Sequence, residues 1–232
     1  LPQKLAPVGE ALRLTKSNLS TETALIGFAG APWTVMTYMA EGGSSRDFAI
    51  TREWAWKHPK LVDALLGSLI ESTISFLSLQ ASAGADALML FDSWASAVPA
   101  AQRNWLVIRP VKLIIEGLRK KGHQQPVIGF PKGIGEGLIT YVEQSRVDAV
   151  GLDHGVDPVW VDRNLPQNFP VQGNLDPLSL LQAGPEMFRD IDRILDAFAN
   201  RPHIFNLGHG ITPRTPTENV QLMLDHVRRH QR

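Results

Sequence analysis

Several short apolar runs in this chain end in, or beside, side chains that can bind ions or move protons. These are Asp92-Ser93, Lys132 after Pro131, Asp153-His154, Asn174 with Asp176, and Asn206 with His209. Carboxylate, hydroxyl, ammonium, carboxamide and imidazole groups offer hydrogen bonds to a polar ligand, and the carboxylates and histidines add acid–base chemistry. His209 stands between Gly208 and Gly210, where its ring projects beyond the backbone and can donate to a carboxylate or a carbonyl; a surface-loop role is equally compatible. A further run, Ala24 to Phe28, leads into Gly30-Ala31-Pro32-Trp33-Thr34 and on to Tyr38 and Glu41-Gly42-Gly43. Its glycines let backbone approach a ligand closely and Pro32 fixes the exit, so the segment reads as a binding edge or as a plain strand-to-loop turn.

Other chemistries fit poorly. The chain has no cysteine, which removes disulfides, thiolate nucleophiles and sulfur-ligated zinc and suits a reducing cytoplasm. His154, His203 and His209 provide no close-spaced pair, so no metal site is expected. Ser93 lies in no Gly-x-Ser-x-Gly elbow. Gly133-Ile134-Gly135-Glu136-Gly137, with Asp153 beyond it, resembles a dinucleotide fingerprint, but Leu138 occupies the third small position and no Gly-Lys-Ser/Thr loop exists. Lys plus Arg balance Asp plus Glu at 23 each, so no net field recruits nucleic acid or an anionic membrane. Any anionic ligand must be held by local positive groups. Without an uninterrupted run of 18 apolar residues, no membrane span is expected.

The elements that must position these groups alternate. Runs suited to strands fall at 24–30, 87–93, 127–131, 149–153, 169–175 and 203–207, each followed by helical spacing. A helix is expected over Ala6–Ser17, and a long helical region between the first two strands places Leu61, Leu65, Leu69 and Phe76 on one face. Later helices repeat the pattern with Val111, Ile114 and Leu118; with Met187, Ile191, Ile194 and Phe198; and with Val220, Met223 and Val227. No linker or composition break divides the 232 residues, which are expected to form a single domain. Polar residues at many strand ends favour a (β/α)8 TIM barrel, in which all those ends share one face, over an open sheet with one switch point. The chain supplies about six consecutive βα units, so two strands are expected on the N-terminal side.

The opening segment Gly27-Phe28-Ala29-Gly30-Ala31-Pro32-Trp33-Thr34 resembles the signature of the uroporphyrinogen decarboxylase family. Similarity continues through Gly84-Ala85-Asp86-Ala87 to Phe91-Asp92-Ser93-Trp94-Ala95, Gly129-Phe130-Pro131-Lys132-Gly133, Val150-Gly151-Leu152-Asp153, Gln172-Gly173-Asn174-Leu175-Asp176-Pro177 and Asn206-Leu207-Gly208-His209-Gly210. The resemblance implies a cytoplasmic homodimeric barrel that strips carbon dioxide from the four acetate arms of uroporphyrinogen III, giving coproporphyrinogen III for haem synthesis. No cofactor, metal, nucleic acid or membrane partner is implied. Protonating a pyrrole carbon makes the ring its own electron sink, so the protein has to bind carboxylates, protonate carbon and stabilise a transient cation.

Carried over to matching positions, the resemblance implies that Tyr38, Ser93 and His209 contact substrate carboxylates. The family's arginine-rich loop, Arg-Gln-Ala-Gly-Arg, and the aspartate facing the pyrrole NH groups lie upstream of the opening signature, so the 232 residues alone are expected to be inactive. Ser96 replaces the family's usual glycine, where a hydroxyl can tighten the loop. Two alternatives stay open: a corrinoid-dependent methyltransferase of the same barrel superfamily, disfavoured by the lack of cysteine, and a non-catalytic barrel remnant acting as a binding partner.

Overall fold

The structure, a computed structural model, describes residues 2–43 and 45–230. Its contacts divide the chain into two compact units, Leu1–Asp148 and Ala149–Arg232. In unit 1, α1 (Pro2–Asn18) exceeds the helix expected over 6–17 at both ends and leads into β1 (Ile26–Gly30). Then come α2 (Pro32–Glu41), α3 (Ala49–Lys57), α4 (Pro59–Ser82) and β2 (Ala87–Asp92). Pro32 sits in the first turn of α2, where a missing N–H leaves no bond unmade, and Gly42 closes the helix in the left-handed conformation. After a 3-10 turn (Ala95–Ala97), α5 (Ala100–Arg103) passes through a π turn (Asn104–Ile108) into α6 (Arg109–Lys120), followed by β3 (Val127–Pro131) and α7 (Gly137–Ser145). β1, β2 and β3 are neighbours and parallel, with Phe28 opposite Met89 and Leu90 opposite Gly129.

The apolar seam of unit 1 runs along α4. Val62, Leu66, Ile70, Ile74 and Leu77 recur at helical spacing, are buried, and pack towards α1, α2, α6 and β1. The stripe expected from Leu61, Leu65, Leu69 and Phe76 is therefore displaced by one residue; Leu61 is 70% exposed. Both stripes satisfy the same period, and the neighbouring elements choose between them. An 18-residue window of α4 reaches a mean hydropathy of 1.4, so by length and composition this helix is able to cross a bilayer, although no uninterrupted apolar run exists. On α6, Val111, Ile114 and Leu118 are buried as their spacing requires.

Unit 2 contains β4 (Ala149–Gly151), α8 (Pro158–Asn164), β5 (Val171–Gln172), α9 (Pro177–Gln182), α10 (Pro185–Ala197), β6 (His203–Ile204) and α11 (Thr217–His230). Val150 lies opposite Val171, and Val171 opposite His203, all in parallel register. The strands are shorter than the apolar runs. The β5–β6 ladder breaks at Gly173-Asn174, which are joined by a cis peptide, and resumes with a Leu175–Leu207 bridge in which the Leu175 N–H donates to the Asn206 carbonyl at 3.1 Å. α10 buries Met187, Ile191 and Ile194, with Phe198 just beyond it, whereas on α11 only Met223 is fully buried. Arg201, 6% exposed, joins the end of α8 through Nε to Asp162 Oδ1 at 3.1 Å and through Nη2 to the Asp162 carbonyl at 3.0 Å.

Candidate active-site residues

Successive residues of a strand point to opposite faces, and the end of β2 uses both. Asp92 turns towards the helices: it is 1% exposed, its Oδ1 accepts from the Thr34 hydroxyl at 2.6 Å, and its Oδ2 has no partner among the described residues. Burial raises its carboxyl from 3.8 to about 7, against the opposing pull of the Thr34 bond. Tyr141 is pushed upward too, first by burial and then by the Asp92 charge. Thr34 Oγ1 also accepts from the Trp94 N–H at 3.3 Å, the Trp33 indole donates to the Trp94 carbonyl at 2.9 Å, and Ala31 N donates to the Phe91 carbonyl at 2.8 Å. These bonds fasten the first turn of α2 to the exit of β2. Asp92, grouped by sequence with the chemically available strand ends, is thus corrected to a buried clamp, because its position in the strand alternation aims it at α2.

Two hydroxyls stand near this junction, Ser93 directly after Asp92 and Tyr38 on the same side of α2 as Thr34. Ser93 is half-buried and Tyr38 is 48% exposed, one helical turn beyond Thr34. Neither hydroxyl bonds to a described residue. The Tyr38 ring meets Trp94 edge-on at 6.4 Å, Phe48 lies 4.9 Å from the same indole, and Lys132 Nζ stands 6.0 Å from its centroid. Tyr38, Trp94 and Lys132 therefore gather beside Ser93 within unit 1. Sequence reasoning missed an aromatic ladder here: Phe28 meets Phe91 at 5.8 Å and Phe91 meets Phe130 at 5.7 Å, both edge-to-face, and Phe28 is 61% exposed. Its signal was the aromatic residue carried by each of three paired strands.

The glycine-rich turn after β3 is explained by sterics. Gly133 and Gly135 have φ of 68° and 59°, and a Cβ on Gly133 would approach Ser96 Cβ to 2.8 Å. Ser96 donates its backbone N–H to the Lys132 carbonyl at 3.1 Å, while its hydroxyl bonds to no described residue. The expected tightening of the loop by that hydroxyl does not arise from a hydrogen bond.

In unit 2 most strand-end polar groups serve the backbone. Asn174, 4% exposed, donates through Nδ2 to the carbonyls of Asp153 and Val156 at 2.9 and 2.7 Å. Asp153 accepts from Gly155 N, Asp176 caps α9 through Leu178 N, and Asn206 accepts from Leu207 N, each at 2.8 Å. Asp157 caps α8 and pairs with Arg193 at 2.7 Å, both beside a cavity of about 280 Å³ that His154, Asn174 and Asp176 also line. His203 donates to the Gly173 carbonyl at 2.6 Å, and burial holds its imidazole below the usual range. His209 is exposed. Its loop is held by Gly208, where a Cβ would fall 2.3 Å from His154 N, so only glycine allows the loop to lie against the end of β4. Among the described residues no three His, Asp or Glu side chains gather as a metal set.

Parallel strands alternating with helices in consecutive order define an α/β-barrel class of chain. The family described as "Uroporphyrinogen decarboxylase (URO-D)" matches residues 1–230, and the chain belongs to that family, whose fold is a (β/α)8 barrel and whose members are carboxy-lyases. A uroporphyrinogen decarboxylase of Novosphingobium aromaticivorans is 49% identical over 228 residues, covering 98% of this chain and 67% of the relative. Those of Sphingopyxis alaskensis and Maricaulis maris are 47% and 45% identical, covering 98% and 97% of this chain and 66% and 65% of their own length. The chain spans about two thirds of the length of these curated relatives. Among solved structures, a 2,3-dimethylmalate lyase is similar at a TM-score of 0.42 and 10% identity over 96% of this chain and 86% of that one, too weak a likeness to carry an argument.

Proposed function

We propose that the protein containing this chain decarboxylates the four acetate arms of uroporphyrinogen III to give coproporphyrinogen III, without metal or organic cofactor. The observation that carries this reading is family similarity along residues 1–230, with relatives of the same description at 43–49% identity. Chemically, a protonated pyrrole accepts the electron pair released with carbon dioxide, so the protein's tasks are anion binding and proton delivery. Tyr38, Ser93 and His209 are the substrate-contacting side chains in this reading. The uncommitted hydroxyls of Tyr38 and Ser93 are ready to donate to carboxylates, and the exposed Phe28 beside Phe91 offers an apolar bed for a macrocycle. The working state is a cytoplasmic homodimer that needs no nucleic-acid or membrane partner.

The test is anaerobic incubation of full-length protein with uroporphyrinogen III and a chelator. Stepwise loss of carbon dioxide ending in coproporphyrinogen III is expected. No decarboxylation, or activity lost to chelation and restored by zinc, would overturn the reading.

A further inference from the structure

Unit 1 contains an open cavity of about 510 Å³ whose lining includes Arg46, Asp47, Phe48, Arg52, Trp94 and Ser96. Its two arginines stand apart from the other arginines in that unit. Arg13, Arg103, Arg109, Arg119 and Arg146 each face a carboxylate within 4.0 Å, namely Glu10, Glu136, Asp63, Asp148 and Glu116. Arg46 and Arg52 have no such partner among the described residues, and both line this one cavity. Among the described residues the Arg52 Nε is buried without a hydrogen-bond acceptor, its Nη1 reaches only the Asp47 carbonyl at 3.4 Å, and the Trp94 indole N–H is likewise buried and unpaired. Buried donors are normally satisfied by protein, water or ligand. A wall rich in uncommitted N–H groups and two guanidinium ions suits a carboxylate, which accepts several such bonds at once. In a chain with no net charge, affinity for an anion has to come from a local arrangement of this kind.

Trp94 is the common wall. It receives the Tyr38 and Phe48 rings and lies under Lys132, so the cavity starts where the Tyr38–Ser93 surface ends. We propose that Arg46 and Arg52 form a carboxylate-binding subsite, bounded by Trp94, that receives one carboxylate arm of a macrocyclic polyacid lying on the Tyr38–Ser93 surface. The identity of the polyacid as the decarboxylase substrate rests on the function proposed above, so the test measures binding apart from turnover.

Full-length protein is titrated calorimetrically with uroporphyrin, the oxidised and unreactive octacarboxylate, using wild type, Arg46→Gln, Arg52→Gln, the double variant, and Arg46→Lys/Arg52→Lys. Loss of charge-assisted bonds is expected to weaken binding about tenfold in the double Gln variant, and the double Lys variant recovers most of that loss while melting as wild type does. Wild-type affinity in the double Gln variant overturns the subsite even if the enzyme decarboxylates uroporphyrinogen. Weakened binding that Lys fails to rescue, accompanied by a lowered melting temperature, also overturns it by marking the arginines as structural. If uroporphyrin binding responds as expected but wild type does not decarboxylate, the subsite stands and the decarboxylase reading fails.

Discussion

The two units spend their polar side chains differently. In unit 1 the strands are five or six residues long, their register is unbroken, and the α2–β2 junction is fastened by the buried Asp92–Thr34 pair and by bonds through Trp33 and Trp94. The Tyr38 and Ser93 hydroxyls bond to no described residue. In unit 2 the strands are two or three residues long, and Asn174, Asp153, Asp157, Asp176 and Arg201 hold loops and helix ends that a longer ladder would otherwise fix. Unit 1 also ties its backbone with side chains, Gln80 to Phe28, Asp86 to Leu25 and Asp148 to Val127, yet it leaves the Tyr38 and Ser93 hydroxyls without a described partner. In unit 2 the polar groups that follow the strands serve the frame.

The largest expected effect tests the clamp. Because burial lifts the Asp92 carboxyl from 3.8 to about 7, the folded state keeps a proton that the unfolded chain releases. This group's stabilising contribution is therefore full below about pH 4 and declines as pH rises to about 7, by at most about 4 kcal/mol. Asp92→Asn abolishes that dependence, so the variant gains stability relative to wild type on going from pH 5 to pH 8. Denaturant unfolding of both proteins at the two pH values checks this, and a constant difference would show that Asp92 is ionised in the fold.

Next in size is Arg201→Ala, which leaves Asp162 without its buried cation and is expected to cost about 3 kcal/mol. Asn174→Ala strands two carbonyls and is expected to cost about 2 kcal/mol. Urea unfolding measures both, and effects below about 0.5 kcal/mol would erase the contrast between the units. His209→Ala, in an exposed loop, should leave stability within about 0.5 kcal/mol of wild type while lowering kcat/KM.

The sequence revealed the βα alternation well because it is written in local patterns: the run at 127–131 coincides with β3, and 87–93 exceeds β2 by one residue. Other features depended on distant partners. The α4 stripe had two solutions one residue apart, and only packing selects Val62 over Leu61. The Thr34–Asp92 bond joins residues 58 apart, and no motif announces it. Asn174 and Asp176 read as chemistry because a carboxamide or carboxylate that caps backbone looks the same in a sequence as one that binds a ligand. The unpaired state of Arg46 and Arg52 was hidden for the same reason, since pairing is a property of space.

The most direct test is kcat/KM for uroporphyrinogen decarboxylation by full-length Tyr38→Phe, read beside its melting curve. The substitution removes one oxygen from a half-exposed ring and leaves the Trp94 contact in place. Loss of a hydrogen bond to a charged arm, worth about 1.5–3 kcal/mol, should lower kcat/KM roughly ten- to a hundredfold with an unchanged melting temperature. An unchanged kcat/KM would contradict the assignment of the free unit 1 hydroxyls to substrate, as would a fall in kcat/KM that only tracks a collapsed melting transition.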